Sequence, residues 1–335
     1  MLALILFLQA AAPPPPPPPP RLTQFLQRSI GLDATQLDAV ERGEPVVKVL
    51  DTRDRRDVAL FGIITTQATR EQYVRAMRDF PASLRKPNRT QLGVFSNPAI
   101  ESDVAAVTIN SRDVGEMKNC KPGDCVVKLP ATDMRRIREQ MNWSAPAAEL
   151  HAQLAAYARR RLVEYVTDYR QRGDSALAIY DDRGNLNVHS SEAFAAQLAE
   201  SPYVYENVPS LQNYLASYPR GSLPLPGAAE ILFWSEDALP RLRPILSVTH
   251  LVVYTPAELP GITLMAAKQI YADHYFETAF DLTCTVDRSP GTYILVLRRY
   301  RFDNLPGGIL NIRGRAIGAL RDQLATDLRR KQEQH

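Results

Sequence analysis

This sequence of 335 residues has no large excess of charge of either sign, few cysteines and few long apolar runs. Forty basic residues stand against 37 acidic residues, and a net charge of +3 provides no basic field for binding nucleic acid. The apolar run Leu2–Leu8 is much shorter than the roughly 20 residues that a membrane-spanning helix needs. These features predict no nucleic-acid partner and no spanning helix at this run.

Several catalytic and cofactor motifs are also missing. The chain contains no G-x-S-x-G, H-E-x-x-H, Walker or dinucleotide fingerprint. It has no internal repeat and no heptad array. Their absence lowers the odds of an enzyme without excluding one, and we predict no cofactor and no metal site.

The start of the chain has the composition of an export signal. Leu2–Leu8 is followed by Ala10–Ala12, which is typical of a signal-peptide core and its cleavage site, although no Lys or Arg precedes the run. We predict a signal-like segment over residues 1–12. Pro13–Pro20 then forms a polyproline spacer, about 25 Å long at roughly 3.1 Å per residue. The predicted location is periplasmic or secreted.

The three cysteines indicate the same compartment. Cys120 and Cys125 flank a turn made by Pro122 and Gly123, so a disulfide is expected. The alternative, half of a metal site, lacks a second pair of ligands at suitable spacing. Cys284 alternates with apolar residues along one face of a predicted strand, and it is predicted to be a buried small apolar residue.

Strand-forming residues are densest in the last third of the chain. β-Branched and aromatic residues there form four runs bounded by turn residues. Helical spacing follows at Ile312–Arg330. We predict an α+β fold, a curved antiparallel sheet packed on a long C-terminal helix, in one domain over residues 21–335. The four predicted strands are Pro244–Tyr254, Ile262–Ile270, Tyr275–Val286 and Thr292–Asp303.

Two further strands and a helix are predicted upstream. Val46–Leu50 and Val58–Thr66 have strand composition, and the polar residues Asp51–Asp57 between them are interpreted as a solvated hairpin loop. Thr69 and Gln72 form a capping box that begins a helix, which ends before the next proline.

The middle of the chain predicts a helical insertion at about residues 131–219. Apolar residues follow one another every three or four positions along the stripe Leu150–Tyr169, and such a stripe needs a partner surface. Short strands are predicted before it at Leu92–Phe95, Val104–Ile109 and Val126–Leu129. Pro219–Gly227 is interpreted as a linker.

This order of elements resembles the helix-grip fold of START-like lipid-binding proteins. The resemblance rests on Phe61–Val74, read as the opening strand and helix, and on the four late strands followed by Ile312–Leu328. It covers about half of the chain and includes no diagnostic motif; the helical insertion departs from the family pattern. It implies a cavity between the sheet and the C-terminal helix that holds an apolar ligand.

Two histidines are candidates for chemistry or ligand contact. Period-two alternation places His274 on an apolar strand face and turns Asp273 to the other face, so Asp273 is not expected to orient it. His250 has a similar apolar setting. The alternative for each is a core histidine, and two histidines without a nearby carboxylate make a weak metal site.

The last strand carries arginines on both faces. Arg299 and Arg301 alternate with Arg298 and Tyr300, so one arginine approaches the cavity, where its guanidinium would bind a carboxylate or phosphate. The alternative is pairing with an acidic residue, Glu277 or Asp281, on the adjacent strand.

Three functional hypotheses follow. The first is an exported protein that binds a hydrophobic small molecule or lipid between the sheet and the C-terminal helix. The second is a helix-grip enzyme that uses His274 as a general base. The third is an envelope scaffold whose 150–169 helix binds a partner protein. The candidate ligand contacts are His250, His274, Tyr275, Arg299 and Tyr300.

Overall fold

The computed structural model describes residues 20–184, 187–219, 225–238, 242–303 and 312–333. The signal-like segment and all but the last residue of the polyproline spacer lie outside these ranges, as does most of the predicted linker Pro219–Gly227. Within the described residues, no helix combines the length and the apolar character needed to cross a lipid bilayer.

One large antiparallel sheet organises the molecule. Its eight strands lie in the order β1-β2-β10-β9-β8-β7-β6-β3, and the sheet is not closed into a barrel. The predicted α+β class and the C-terminal helix are confirmed. The strands are β1 Val46–Leu50, β2 Asp57–Thr66, β3 Arg89–Val94, β6 Ala229–Asp237, β7 Ile245–Tyr254, β8 Ile262–Ala272, β9 Phe276–Asp287 and β10 Thr292–Phe302, while β4 Ile179–Tyr180 and β5 Val188–His189 form a separate pair.

The C-terminal helix α10 (Ile312–Glu333) packs on one face of the sheet, which we call the α10 face. Leu324 and Leu328 are fully buried there against β2. Gly62 of β2 allows this close approach, since a Cβ atom at that position would lie 2.9 Å from Leu328 and 3.1 Å from Leu324. The helix α3 (Arg70–Arg78), which begins with the predicted capping box, joins the same core.

The other face, which we call the insertion face, is covered by the remaining helices. The N-terminal helices pack on β1, β2 and β10, and the insertion packs on β6 to β9. The helices are α1 Pro20–Gln24, continued by a π-helical turn at Phe25–Ile30, then α2 Ala34–Glu41, α4 Ser111–Met117, α5 Ala131–Gln140, α6 Ala147–Arg172, α7 Ser190–Ala199, α8 Pro202–Asn207 and α9 Pro209–Ser217.

The long helix α6 buries its apolar stripe within the chain itself. Leu162, Val166 and Tyr169 pack against the sheet, and Leu154 and Tyr157 pack against α4 and α5. The partner surface that the stripe needs is therefore intramolecular, and the stripe offers no free apolar face.

Three local predictions are wrong. Residues 104–109 and 126–129 form no strand, because Val104 ends a short 3₁₀ helix and its apolar neighbours pack under α6 instead of pairing with a strand. Asp57 does not belong to a solvated loop: it begins β2, is 2% exposed and forms a bidentate ion pair with Arg301 at 2.7 Å.

The predicted disulfide is present. Cys120 and Cys125 are bonded across the Pro122–Gly123 turn. Gly123 has φ +84° and its amide donates to the carbonyl of Asp181, so the bonded loop packs against the segment that follows α6.

Candidate functional site

An apolar pocket of about 690 Å³ lies on the insertion face, and sheet residues form its floor. Cys284 of β9 pairs with Leu264 of β8 on one side and with Leu295 of β10 on the other. Leu282 and Leu297 form the next pair along the same face. Because paired residues of antiparallel strands point to the same side, alternation along three strands produces a continuous apolar floor.

Helices α1, α8 and α9 form the roof of this pocket. Leu22 comes from α1, Val204 from α8 and Leu211 from α9, and all three are buried. Val208, between α8 and α9, adds a fourth apolar contact. The N-terminal helix and the end of the insertion, two segments that are far apart in the sequence, therefore form the roof of the pocket together.

The mouth of the pocket is polar. The exposed residues Arg21, Asn207, Glu258 and Asp287 lie around it, at the end of the sheet where β9 turns into β10. Asp287 also forms an ion pair with Arg70 of α3 at 2.9 Å. An apolar interior with a charged rim would allow an amphipathic molecule to enter.

Cys284 is a neutral thiol in the floor. It is half-buried and contributes to the pocket lining, and burial raises its pKa to about 12. The thiolate is the nucleophilic form of cysteine, so Cys284 is unreactive at neutral pH and only lines the pocket. The sequence predicted a buried small apolar residue at this position; Cys284 lies among apolar side chains but is only half-buried.

Arg299 lies just beyond the inner end of the pocket. It follows Leu297 on the same face of β10, about 7 Å further along the strand. Its side chain is 4% exposed, with Nη1 at 3.3 Å from the carboxylate of Glu200, while Nη2 donates to the Glu200 carbonyl. Glu200, at the end of α7, was missed from the sequence because nothing in a local pattern pairs residues 99 positions apart.

His250 occupies a different part of the insertion face. Its Nδ1 is 3.0 Å from the hydroxyl of Tyr169, and its Nε2 is 3.3 Å from the carboxylate of Glu230. Burial lowers the pKa of His250. The ring packs against Tyr169 of α6 and Tyr218 just after α9, so it belongs to the packing of the insertion on the sheet and does not line the apolar pocket.

His274 lies in the turn between β8 and β9. Its Nδ1 is 2.9 Å from the carboxylate of Asp273, and its Nε2 is 3.5 Å from that of Asp113. The expectation that Asp273 points away is wrong, because β8 ends at Ala272 and strand alternation stops there. Burial favours the neutral imidazole, but the carboxylates of Asp113 and Asp273 outweigh it and raise the pKa of His274 to about 9.

Tyr275 completes this turn in a left-handed conformation. Its φ of 63° is unusual for a bulky side chain. Its hydroxyl accepts a hydrogen bond from the amide of Arg243 at 3.0 Å, and Arg243 in turn forms an ion pair with Asp113. Tyr275 therefore supports the charged cluster around His274.

Tyr300 faces away from the apolar pocket, on the α10 face. Its ring lies 5.6 Å from that of Phe276 and 6.2 Å from that of Phe302. Arg298 on the same face pairs with Asp281 at 2.8 Å, which is the alternative that the sequence offered for an arginine of this strand. Arg298 also pairs with Asp327 of α10. The structure thus does not bring the five candidate residues together, and only Arg299 lies next to the apolar pocket.

A second cavity, of about 510 Å³, lies between the insertion and the sheet. Asp113, Asp133 and Asp273 line it together with Tyr157 and Arg161. Asp133 accepts a hydrogen bond from Tyr157 at 2.7 Å and forms an ion pair with Arg161 at 2.9 Å. The carboxylates of the His274 cluster therefore reach this cavity.

Further buried charges, missed from the sequence, lie near the same turn. Lys128 is 1% exposed and forms ion pairs with Asp303 and with Asp182. Glu277 pairs with Arg56 at 2.7 Å. The segment 120–184 brings Lys128 and Asp182 to the strand ends, whereas Arg56 comes from the loop between β1 and β2. Among the described residues, no group of three or more His, Cys, Asp or Glu side chains is arranged to hold a metal ion.

Comparison of the chain with protein-family models, with curated proteins and with solved structures finds no match in any of the three. The candidate site is therefore argued from its own geometry.

Proposed function

We propose that this protein binds a hydrophobic small molecule or lipid, and that the apolar pocket on the insertion face is the binding site. The observation that carries the proposal is the pocket itself, about 690 Å³ with a continuous floor of apolar side chains. This volume lies in the range of roughly 300–1,000 Å³ typical of small-molecule sites. Partly exposed apolar side chains in the floor, Leu282 and Cys284 among them, would gain free energy when a ligand covers them.

The helix-grip resemblance supports a ligand carrier but places the ligand elsewhere. It implies a cavity between the sheet and the C-terminal helix, whereas Leu324 and Leu328 of α10 pack directly against β2. The apolar pocket lies on the opposite face, under α1, α8 and α9. We therefore propose the same class of ligand, an apolar molecule, but a binding site on the opposite face of the sheet.

The proposed location is the periplasm or the exterior of the cell. The Cys120–Cys125 disulfide supports an oxidising compartment. The signal-like composition of residues 1–12 supports export. A carrier with a polar mouth and an apolar interior fits a compartment in which lipids move between membranes.

The geometry gives less support to an enzyme that uses His274 as a general base. A pKa of about 9 keeps the ring protonated at neutral pH, so it has no lone pair to accept a proton. The scaffold hypothesis loses the 150–169 stripe as a docking surface, because that stripe is buried against the sheet, α4 and α5.

Binding is tested with a fluorescent apolar probe. N-Phenyl-1-naphthylamine becomes bright in an apolar environment, and we expect it to bind the purified protein at one site. Cys284→Trp places an indole in the middle of the floor and should weaken binding by at least about tenfold, or roughly 1.4 kcal/mol. Val49→Trp is the matched control, since Val49 is 42% exposed on the edge strand β1.

Loss of probe binding in Cys284→Trp but not in Val49→Trp supports the proposal. Equal binding by both variants, or no probe binding by the wild type, contradicts it. Circular dichroism establishes that both variants keep the fold.

A further inference from the structure

The second cavity, of about 510 Å³ between the insertion and the sheet, takes no part in the proposed function. It shares no lining residue with the apolar pocket, and its wall combines carboxylates, tyrosines and apolar side chains. We propose that this second cavity binds an organic ammonium ion, that is, a protonated amine on an apolar body. The site is separate from the apolar pocket, so its failure would leave the proposed function intact.

The wall of the second cavity carries more acidic than basic side chains. The acidic residues are Asp113, Asp133, Asp168, Asp181, Glu236 and Asp273, and the basic residues are Arg161 and Arg172. Both arginines are already used, since Arg161 pairs with Asp133 and Arg172 pairs with Asp168, each at 2.9 Å. Glu236 forms no ion pair with any described residue. The wall therefore favours a positively charged ligand.

The charged cluster around His274 has an excess of negative charge. Arg243 pairs with both Asp113 and Glu116, and His274 lies between Asp113 and Asp273. Even with His274 protonated, these three carboxylates face only two cations. Because two of the three carboxylates, those of Asp113 and Asp273, line the cavity, a cation bound there would neutralise the excess charge.

Oxygen atoms in the wall are available to accept hydrogen bonds from an ammonium group, which has three N–H donors. The ring of His274 and the amide of Leu246 both contact Oδ1 of Asp273, which leaves Oδ2 without a hydrogen bond among the described residues. Glu236 lies next to Leu246 in the ladder between β6 and β7, so its carboxylate belongs to the same part of the wall. The hydroxyl of Tyr271 also forms no hydrogen bond within the described ranges.

Aromatic rings in the wall provide a second means of holding a cation. Tyr165 of α6 and Tyr271 of β8 both line the cavity, with ring centroids 5.8 Å apart. Burial raises the pKa of Tyr271, and the nearby negative charges of Asp273 and Asp133 add to the rise. A ring beside carboxylates attracts a cation both through its own negative face and through their charge.

The rest of the wall suits an apolar body. Ile137 of α5 and Leu154 and Leu162 of α6 line the cavity. In the described part of the chain, no group of three or more His, Cys, Asp or Glu side chains is arranged to hold a metal ion. The combination of spread carboxylates, tyrosine rings and apolar side chains therefore fits an amine with a hydrocarbon body.

Isothermal titration calorimetry with three compounds of one chain length tests the ligand class. The wild-type protein is titrated at pH 7.5 and low salt with 1-hexylamine, which is protonated at this pH, with 1-hexanol and with hexanoate. We expect 1-hexylamine to bind at least about tenfold more tightly than either other compound, equivalent to roughly 1.4 kcal/mol. Absence of 1-hexylamine binding, or equal binding of 1-hexanol or hexanoate, would overturn the proposal.

Ala158→Trp tests the position of the site. Ala158 of α6 lines the second cavity, so an indole there should occupy it and weaken 1-hexylamine binding by at least about tenfold. Ala152→Trp makes the same change at an exposed position of the same helix and should have no effect. Binding of N-phenyl-1-naphthylamine should persist in Ala158→Trp, because the apolar pocket is elsewhere. Unchanged 1-hexylamine affinity in Ala158→Trp, with the fold verified by circular dichroism, would overturn the proposed site.

Glu236→Gln tests the role of charge without changing the size of the side chain. Removal of this carboxylate should weaken 1-hexylamine binding by at least about threefold, and added salt should reduce the difference from the wild type. Glu139→Gln, at an exposed position of α5 outside the cavity, is the matched control. Equal 1-hexylamine affinities of the two variants would contradict recognition of a cation by the acidic wall.

Discussion

His274 is held as an imidazolium ion by two carboxylates in a buried turn. The side chain is 3% exposed and lies within 3.5 Å of Asp113 and 2.9 Å of Asp273, while Arg243 balances the second negative charge through Asp113. The pKa is raised to about 9 from an ordinary value near 6.5. The cluster ties α4 of the insertion to the turn between β8 and β9.

This arrangement predicts a pH dependence of stability. Since the folded-state pKa exceeds the unfolded one, the stabilisation is fully present below pH about 6.5 and is lost as pH rises through about 9. The wild-type free energy of unfolding should fall between pH 7 and pH 9, and by at most about 3 kcal/mol once deprotonation is complete. Urea denaturation at a series of pH values measures this change.

His274→Gln should be less stable at pH 7 and should show a flatter pH profile over that range. The control is His189→Gln, at a partly exposed position whose only ion-pair contact among the described residues is an exposed carboxylate, that of Glu192, at 3.9 Å. The account of this cluster is wrong if His274→Gln and the wild type lose stability in parallel.

Individual residues also show what strand alternation in the sequence could and could not predict. Alternation correctly placed Arg298 and Tyr300 on one strand face and Arg299 and Arg301 on the other. It failed at Asp273 and His274, because a rule for strands was applied to residues beyond Ala272, where β8 ends. It could not find Glu200, because the contact of that residue with Arg299 of β10 depends on how α7 packs.

At the scale of elements, the docking of α10 depends on a few apolar contacts. Leu324 is fully buried against β2, and Gly62 provides the space for it. We expect Leu324→Ala to lower the free energy of unfolding by about 3 kcal/mol, because it removes buried methyl groups and leaves a cavity. Chemical denaturation followed by circular dichroism measures the loss.

Arg329→Ala, at an exposed position on the same helix, is the matched control and should change stability by less than about 0.5 kcal/mol. Similar effects of the two substitutions would mean that α10 is not held by this apolar contact.

Elements with a strong local signal were predicted well. The late strands and α10 carry clear periodicity, and the capping box at Thr69 correctly marks the start of α3. The short apolar pieces at 104–109 and 126–129 were misassigned, because a run of a few apolar residues is equally compatible with a buried loop under a helix.

At the scale of the whole molecule, the sheet separates two environments. On the α10 face, α3 and α10 pack against the sheet. On the insertion face, a gap between the N-terminal helices and α8 forms the apolar pocket. Element order predicted an apolar cavity between the sheet and α10, but Leu324 and Leu328 pack directly against β2. The apolar pocket lies on the opposite face, and sequence patterns could not predict it because it depends on two distant segments approaching the same three strands.

Native mass spectrometry of the purified protein tests the central claim most directly. The account predicts that the wild type, after incubation with N-phenyl-1-naphthylamine or directly from the cell, carries one hydrophobic molecule per chain, and that Cys284→Trp carries none. A wild-type mass equal to that of the bare polypeptide under both conditions, or the same adduct on Cys284→Trp, would contradict a ligand site in the apolar pocket.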